Sequence, residues 1–319
     1  MCPMALPSPI SPRLRVPAFL AVVICAVIGA LPARAISING EGPDSVTGIY
    51  DRFTVGSYPG TPISNPTFIG ASLDLSGIGW AASTPTQSIT LVSPQYFLGA
   101  SHFLPATGST LRFFGTDHSL YSATVDSYHT LTYTGSSGAQ ASDLTLGRLT
   151  FALSAAVSPM PIFYPGPTDI STPSSFDQYA GVTLLNYGFT ARMGVNALDG
   201  FSEFGFGAPK TNIGLIYSQG TGAGETLLES GDSGSPTLGY RDGSYGLIGT
   251  HSGVDTAHSI SVDAFVGYTP YVNQINAILA TDGQSLTFSG VPEPGTLIIG
   301  IALLGMCGAQ RMRRTRGKR

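Results

Sequence analysis

Cysteine is almost absent, and its position matters more than its number. The three cysteines of the 319-residue chain, Cys2, Cys25 and Cys307, all lie near the two ends. The long middle therefore has no disulfide framework, no thiol nucleophile and no cysteine-based metal site. Charge is also scarce: Asp, Glu, Lys and Arg make up 11% of the residues, where about 25% is usual. Basic residues are the scarcest. Between Ile36 and Gly290 there are six Lys or Arg against eighteen Asp or Glu, a net charge of −12. So acidic a body excludes nucleic acid as a partner. The five histidines form no HExxH string and no close set with carboxylates, so neither a catalytic metal nor a cofactor is expected. Scattered aspartates could supply oxygen to an incidental calcium, but no EF-hand-like loop is present. Internal repeats and heptads are missing.

The two ends carry what the middle lacks. Residues 1–35 contain Arg13 and Arg15, an apolar run from Ala18 to Leu31, and then Ala33-Arg34-Ala35. This basic, apolar, small-residue order is that of a secretory signal peptide cleaved after Ala35; an uncleaved anchor helix is the alternative. At the other end, residues 291–319 hold the Pro292-Glu293-Pro294 triplet, an apolar segment over about 296–309, and six basic residues in the last nine. This tail resembles the PEP-CTERM sorting signal of Gram-negative bacteria. The resemblance implies recognition and removal by an exosortase-like membrane enzyme, with transient membrane association through 296–309. The basic cluster would stay on the cytoplasmic side. A permanent anchor is the other reading, although about 14 residues span only some 21 Å of helix against a ~30 Å hydrocarbon core. Either way the body is placed outside the cytoplasm, in the periplasm, at the cell surface or in the extracellular matrix.

In the body, short β-rich runs recur between clusters of Gly, Pro, Ser and Thr. They include Ser88–Val92, Leu111–Phe114, Gly181–Leu185 and Tyr245–Gly249. Such runs with little helical periodicity predict antiparallel β architecture. The Pro-rich stretch from Ser158 to Ser175 predicts a crossing between two halves. Near the end, Tyr271–Leu279 has apolar residues at helical spacing. Residues 36–70 match no recognisable pattern.

The most specific string is Gly-Asp-Ser-Gly-Ser-Pro at 231–236. It sets a hydroxyl, Ser233, in a loop of small residues, and the glycines allow the N–H groups of Gly231 and Ser233 to point at one oxygen. Alone it could be an ordinary turn. A serine nucleophile needs a base and a carboxylate to orient that base. His102 follows the strand-like Tyr96-Phe97-Leu98, and Asp143 opens a run in which Leu144, Leu146 and Leu149 suggest a strand.

Together GASHF (99–103), SDLTLGRL (142–149) and GDSGSP (231–236) resemble the corresponding segments of the trypsin/chymotrypsin family of serine endopeptidases, in the same order and at similar separations. The resemblance covers about 79–279. It implies an all-β fold of two antiparallel six-stranded-type β-barrels with a C-terminal helix. The first barrel is expected over about 71–157, the second over about 176–268 and the closing helix over about 270–281, all within a protease domain at 71–281. A linker at 282–290 would lead to the tail. It further implies a catalytic His102, Asp143 and Ser233, an oxyanion hole from Gly231 and Ser233, and protein or peptide substrates. Asp232 in this family pairs with a newly cut N-terminal amine. No activation site like the family's precedes His102, so either Ile36, the expected mature terminus, or another donor must satisfy Asp232.

Substrate preference is harder to read. His251, in GLIGTHSGV (246–254), stands where bacterial glutamyl endopeptidases carry a histidine that binds an acidic side chain, which favours cleavage after Glu or Asp. Leu227 and Leu228 replace polar pocket-floor residues. Glu229 and Asp263, the latter aligned with a pocket strand, would repel an acid and attract a base. His251 could equally be an ordinary strand histidine. Two functions stay open: an exported serine endopeptidase, and a non-catalytic surface or matrix protein on a protease-like scaffold.

Overall fold

A computed structural model describes residues 36–41, 48–164, 170–171, 173–205 and 209–289. The signal-like segment 1–35 and the tail 291–319 lie outside the described residues. After a two-residue strand, β1 (Ser37–Ile38), the chain runs irregularly to the first group of strands. These are β2 (Ile78–Ala81), β3 (Ser88–Ser93), β4 (Tyr96–Ala100), β5 (Thr110–Phe114), β6 (Leu120–Gly135) and β7 (Gly138–Leu149). Hydrogen-bonded in the order β2-β3-β4-β7-β6-β5, they close into a barrel, which leaves no edge strand exposed.

β2, β3 and β4 are buried on both faces, whereas β6 alternates between buried and exposed positions along much of its length. Ile89, Leu91, Phe97, Leu111 and Phe113 point inward into one cluster. Their neighbours Val92, Tyr96 and Leu98 point the other way, into a larger cluster shared with the second half of the chain. The period-two alternation of a strand thus sorts one sequence between two cores.

The second half begins with β8 (Ile162–Phe163) and continues with β9 (Thr183–Tyr187), β10 (Met193–Ala197), β11 (Gly200–Phe204), β12 (Asn212–Ser218), β13 (Thr226–Leu227), β14 (Pro236–Arg241), β15 (Ser244–Asp255) and β16 (Ile260–Phe265). Its sheet has the order β10-β9-β14-β15-β16-β12-β11. The sheet rolls until β10 comes alongside β12, but no hydrogen-bonded pairing between those two strands joins the seam. This half is therefore an open counterpart of the closed first barrel, and the architecture is all-β with two domains. An α-helix, α1 (Thr269–Leu279), follows, with Tyr271, Val272, Ile275 and Leu279 buried and a proline in its first turn, where the missing N–H costs nothing. Residues 282–289 return to the body: β17 (Phe288–Ser289) pairs in parallel with β8, and Tyr96 hydrogen-bonds Asp282 across 2.7 Å.

The N-terminal segment, which the sequence leaves unassigned, ties the two halves together. β1 pairs with β13. Beyond it, Arg52 N–H donates to the Ala191 carbonyl and Met193 N–H to that of Tyr50. On the barrel side, Phe53 meets Phe114 edge-on at 5.2 Å and Tyr58 meets Trp80 at 5.0 Å.

Candidate active site

His102 sits in a single 3-10 turn, Ser101–Phe103, directly after β4. Asp143 lies in β7, which is paired with β4, Ala100 standing opposite Leu144. This pairing brings the two side chains together at the mouth of the barrel. His102 Nδ1 is 2.8 Å from Asp143 Oδ1, which also accepts the backbone N–H of His102 at 3.2 Å. Ser233, in the turn before β14, places Oγ 2.9 Å from His102 Nε2. With the Nδ1 proton held by Asp143, Nε2 presents its lone pair to the serine hydroxyl.

Asp143 is fixed from behind. Asn212 Oδ1 accepts its backbone N–H at 3.0 Å and the Tyr271 hydroxyl at 3.1 Å, and also takes the Ser142 hydroxyl. Burial raises the pKa of Tyr271, so it stays a neutral donor. These three positioning residues come from β7, β12 and α1, and no local motif marks them. Asp143 Oδ2 is buried without a hydrogen-bond partner among the described residues.

The serine turn owes its shape to two glycines in the left-handed region, Gly231 at φ +107° and Gly234 at φ +87°. A side chain at Gly234 would force the backbone to shift, since a Cβ there would lie 2.5 Å from the Ser88 carbonyl oxygen. Among the described residues, no acceptor takes the N–H of Gly231 or that of Ser233, which leaves both available to an external oxygen. Between them, Asp232 turns inward and is buried. Its carboxylate accepts Phe189 N–H at 3.0 Å and Glu229 N–H at 2.8 Å, and the N–H of Ile36 also favours its charged form. Burial pushes its pKa up to about 6, against the opposing pull of His251 and of these three N–H groups.

The residues expected at a primary pocket are placed differently. His251 and Asp263 are wholly inaccessible. They are cross-strand partners on β15 and β16, with His251 Nδ1 2.8 Å from Asp263 Oδ1 and His251 Nε2 3.1 Å from the Tyr187 carbonyl. Both ring nitrogens face acceptors, the setting of an imidazolium. Burial works against that charge, but Asp263, Asp232 and the carbonyl outweigh it and raise the His251 pKa. Leu227 is buried on β13, beside Ser37 of β1. None of the three offers a surface to a substrate side chain, because each is engaged inside the second domain. Among the described residues, no group of three or more His, Cys, Asp or Glu could hold a metal ion, and no helix is long and apolar enough to cross a membrane.

No family model and no curated protein matches the sequence. Among solved structures, the chain is similar to an inactivated protease paralogue of the scabies mite, at 15% identity and a TM-score of 0.44, covering 65% of this chain and 96% of that one. It is also similar to an inactive variant of a chimeric murine norovirus NS6 protease, at 17% identity and a TM-score of 0.35, covering 56% of this chain and 88% of that one.

Proposed function

We propose that the protein is an exported serine endopeptidase. The observation that carries this reading is the unbroken hydrogen-bonded line from Asp143 through His102 to Ser233, at 2.8 and 2.9 Å. In the reaction, Ser233 Oγ bonds to a peptide carbonyl carbon as its proton passes to His102 Nε2. The carbonyl oxygen takes up negative charge opposite the N–H groups of Gly231 and Ser233; one such donor is typically worth about 10²–10³ in turnover. As the C–N bond breaks, His102 returns the proton to the leaving amine. Water, activated by the same imidazole, then hydrolyses the acyl-enzyme. Asp143 holds the tautomer and balances the imidazolium charge from a buried position where Coulomb attraction is little screened.

Export accounts for both ends of the chain. Cleavage after Ala35 makes Ile36 the N-terminus, with its ammonium beside Asp232. Exosortase-type removal of the Pro-Glu-Pro tail then frees the enzyme from the membrane into the periplasm, the cell surface or the matrix.

A fluorophosphonate probe tests the reading directly, because it reacts only with an activated serine. Labelling of the parent that is lost in Ser233→Ala is the expected result. A parent that takes no label would instead be a non-catalytic surface or matrix protein on the same scaffold.

A further inference from the structure

Residues 51–59 form one wall of a cavity of about 330 Å³ beside the serine turn. Phe189 belongs to a second wall. Its N–H holds Asp232, and its ring lies 3.1 Å from where a Cβ on Gly231 would stand. Pro85 and Thr86, in the turn between β2 and β3, form a third. That turn runs into Ser88, whose carbonyl lies against Gly234. Two walls of the cavity thus lean on residues either side of Ser233.

The turn between β2 and β3 is also bound to the His102 side of the site, for Gln87 Nε2 donates to the Leu104 carbonyl at 3.0 Å, two residues past His102. The opposite flank of the serine turn belongs to β15, where Gly234 N–H meets the His251 carbonyl. In a serine mechanism the acyl half of the substrate stays on the serine. The leaving half departs over the histidine that protonates it. The turn that supplies the cavity's third wall is thus the one tied to the histidine side.

Its lining is mostly apolar. Phe53 and Tyr58 stack at 5.6 Å, and Val55 is exposed at the rim. The one charged side chain lining it, Asp51, is tied to the buried Arg192 at 3.2 Å. The volume is at the lower end of the ~300–1,000 Å³ typical of ligand pockets, enough for one large side chain.

We propose that this cavity is a subsite for a large apolar or aromatic side chain on the leaving-group side of the scissile bond. The N-terminal segment sets the preference through Phe53, Val55 and Tyr58. The inference rests on the peptidase reading.

The test is digestion of a diverse peptide library by the processed protein, with products sequenced by mass spectrometry and fluorophosphonate labelling run in parallel. Cut bonds should be enriched in Phe, Tyr, Leu or Met at one position after the scissile bond. Val55→Arg, at an exposed rim position, should erase that enrichment. It should lower kcat/KM about tenfold for such peptides and leave those with Gly or Ala at that position unchanged. Ile63→Arg, equally exposed but outside the cavity lining, should change nothing. A labelled parent with a flat leaving-side profile overturns the subsite alone, as does an equal loss on every peptide in Val55→Arg; a labelled parent that cleaves no peptide overturns the peptidase reading and the subsite with it. A parent that takes no label overturns the peptidase reading and the subsite with it.

Discussion

The backbone N–H of Ile36 favours the charged form of the Asp232 carboxylate, and both residues are buried. In the uncut chain this donor is a neutral amide, and burial holds the Asp232 pKa at about 6, above its ordinary 3.8. A carboxyl whose folded pKa is raised favours folding most below its unfolded pKa. That contribution is lost as pH rises through the folded value. Stability of the uncut chain should therefore drop by about 3 kcal/mol between roughly pH 4 and pH 6. In a chain beginning at Ile36, an ammonium stands at the same carboxylate and draws its pKa down, so this drop should shrink. Urea unfolding of both forms across that pH range measures it; identical slopes would separate Ile36 from any charge pairing with Asp232.

Ser233→Ala and His102→Ala should each reduce turnover by about 10⁶, because the members of such a unit fail together. Asp143→Asn should cost about 10⁴ by favouring the wrong His102 tautomer. All three variants should still fold, as circular dichroism and thermal melts would show. A Ser233→Ala protein that hydrolyses peptides at the parent rate would refute the assignment.

The three side chains that meet were legible because their surroundings are local. The glycines shape the serine turn by themselves, and His102 and Asp143 lie at the end of, or within, apolar strand runs. His251 and Asp263 were misread for a physical reason. Around His251 the strand carries Gly249, Ser252 and Gly253, which give no apolar alternation to mark its inner face. A bulge between His251 and Gly253 shifts the register as well. Only the pairing of β15 with β16 reveals that the two residues face each other. The segment 48–76 buries Phe53, Phe68 and Leu75 at irregular intervals, so no period announces it. Its role as a bridge between the domains appears only in three dimensions.

Asn212 holds Asp143 without touching His102 or Ser233. Asn212→Ala would strand the Asp143 N–H and leave the Tyr271 and Ser142 hydroxyls, 2.8 Å apart, with one proton between them unpaired, and each unpaired buried group costs about 1–3 kcal/mol. We expect a stability loss of about 3 kcal/mol and a fall in kcat with KM nearly unchanged. Tyr271→Phe removes one donor and leaves the other two, so its effect should be under about 1 kcal/mol. Steady-state kinetics beside urea titrations separate these effects. An Asn212→Ala enzyme with parental kcat would make the network purely structural.

The His251–Asp263 pair should behave as a buried ion pair whose breaking leaves a stranded charge. Asp263→Asn is expected to cost about 3–5 kcal/mol. A histidine whose folded pKa is raised stabilises fully below its unfolded value near 6.5, and that contribution is lost as pH rises through the folded value. The penalty of Asp263→Asn should therefore be larger at pH 6 than at pH 9. Denaturant midpoints at the two pH values check this, and equal penalties would mean that His251 is neutral throughout.

Gly234 and Gly243 share a left-handed backbone, at φ +87° and +81°, but differ in their surroundings. A Cβ at Gly243 meets nothing within 4 Å. Gly243→Ala should therefore cost only the conformational penalty of about 1–2 kcal/mol, with activity intact. A Cβ at Gly234 would press on the Ser88 carbonyl and come within 3.5 Å of the Ala100 nitrogen, rigid backbone on β3 and β4. Since β4 leads straight into the His102 turn, relieving the clash must move His102 relative to Ser233. A displacement of about 1 Å at a reacting centre can cost about 10² in rate. Gly234→Ala should thus fold cooperatively yet lose at least that much kcat, while Gly243→Ala loses stability alone. Thermal melts and fluorophosphonate labelling rates on the two variants test the contrast; equal labelling rates would show that the turn absorbs the extra methyl without disturbing the hydrogen-bonded line.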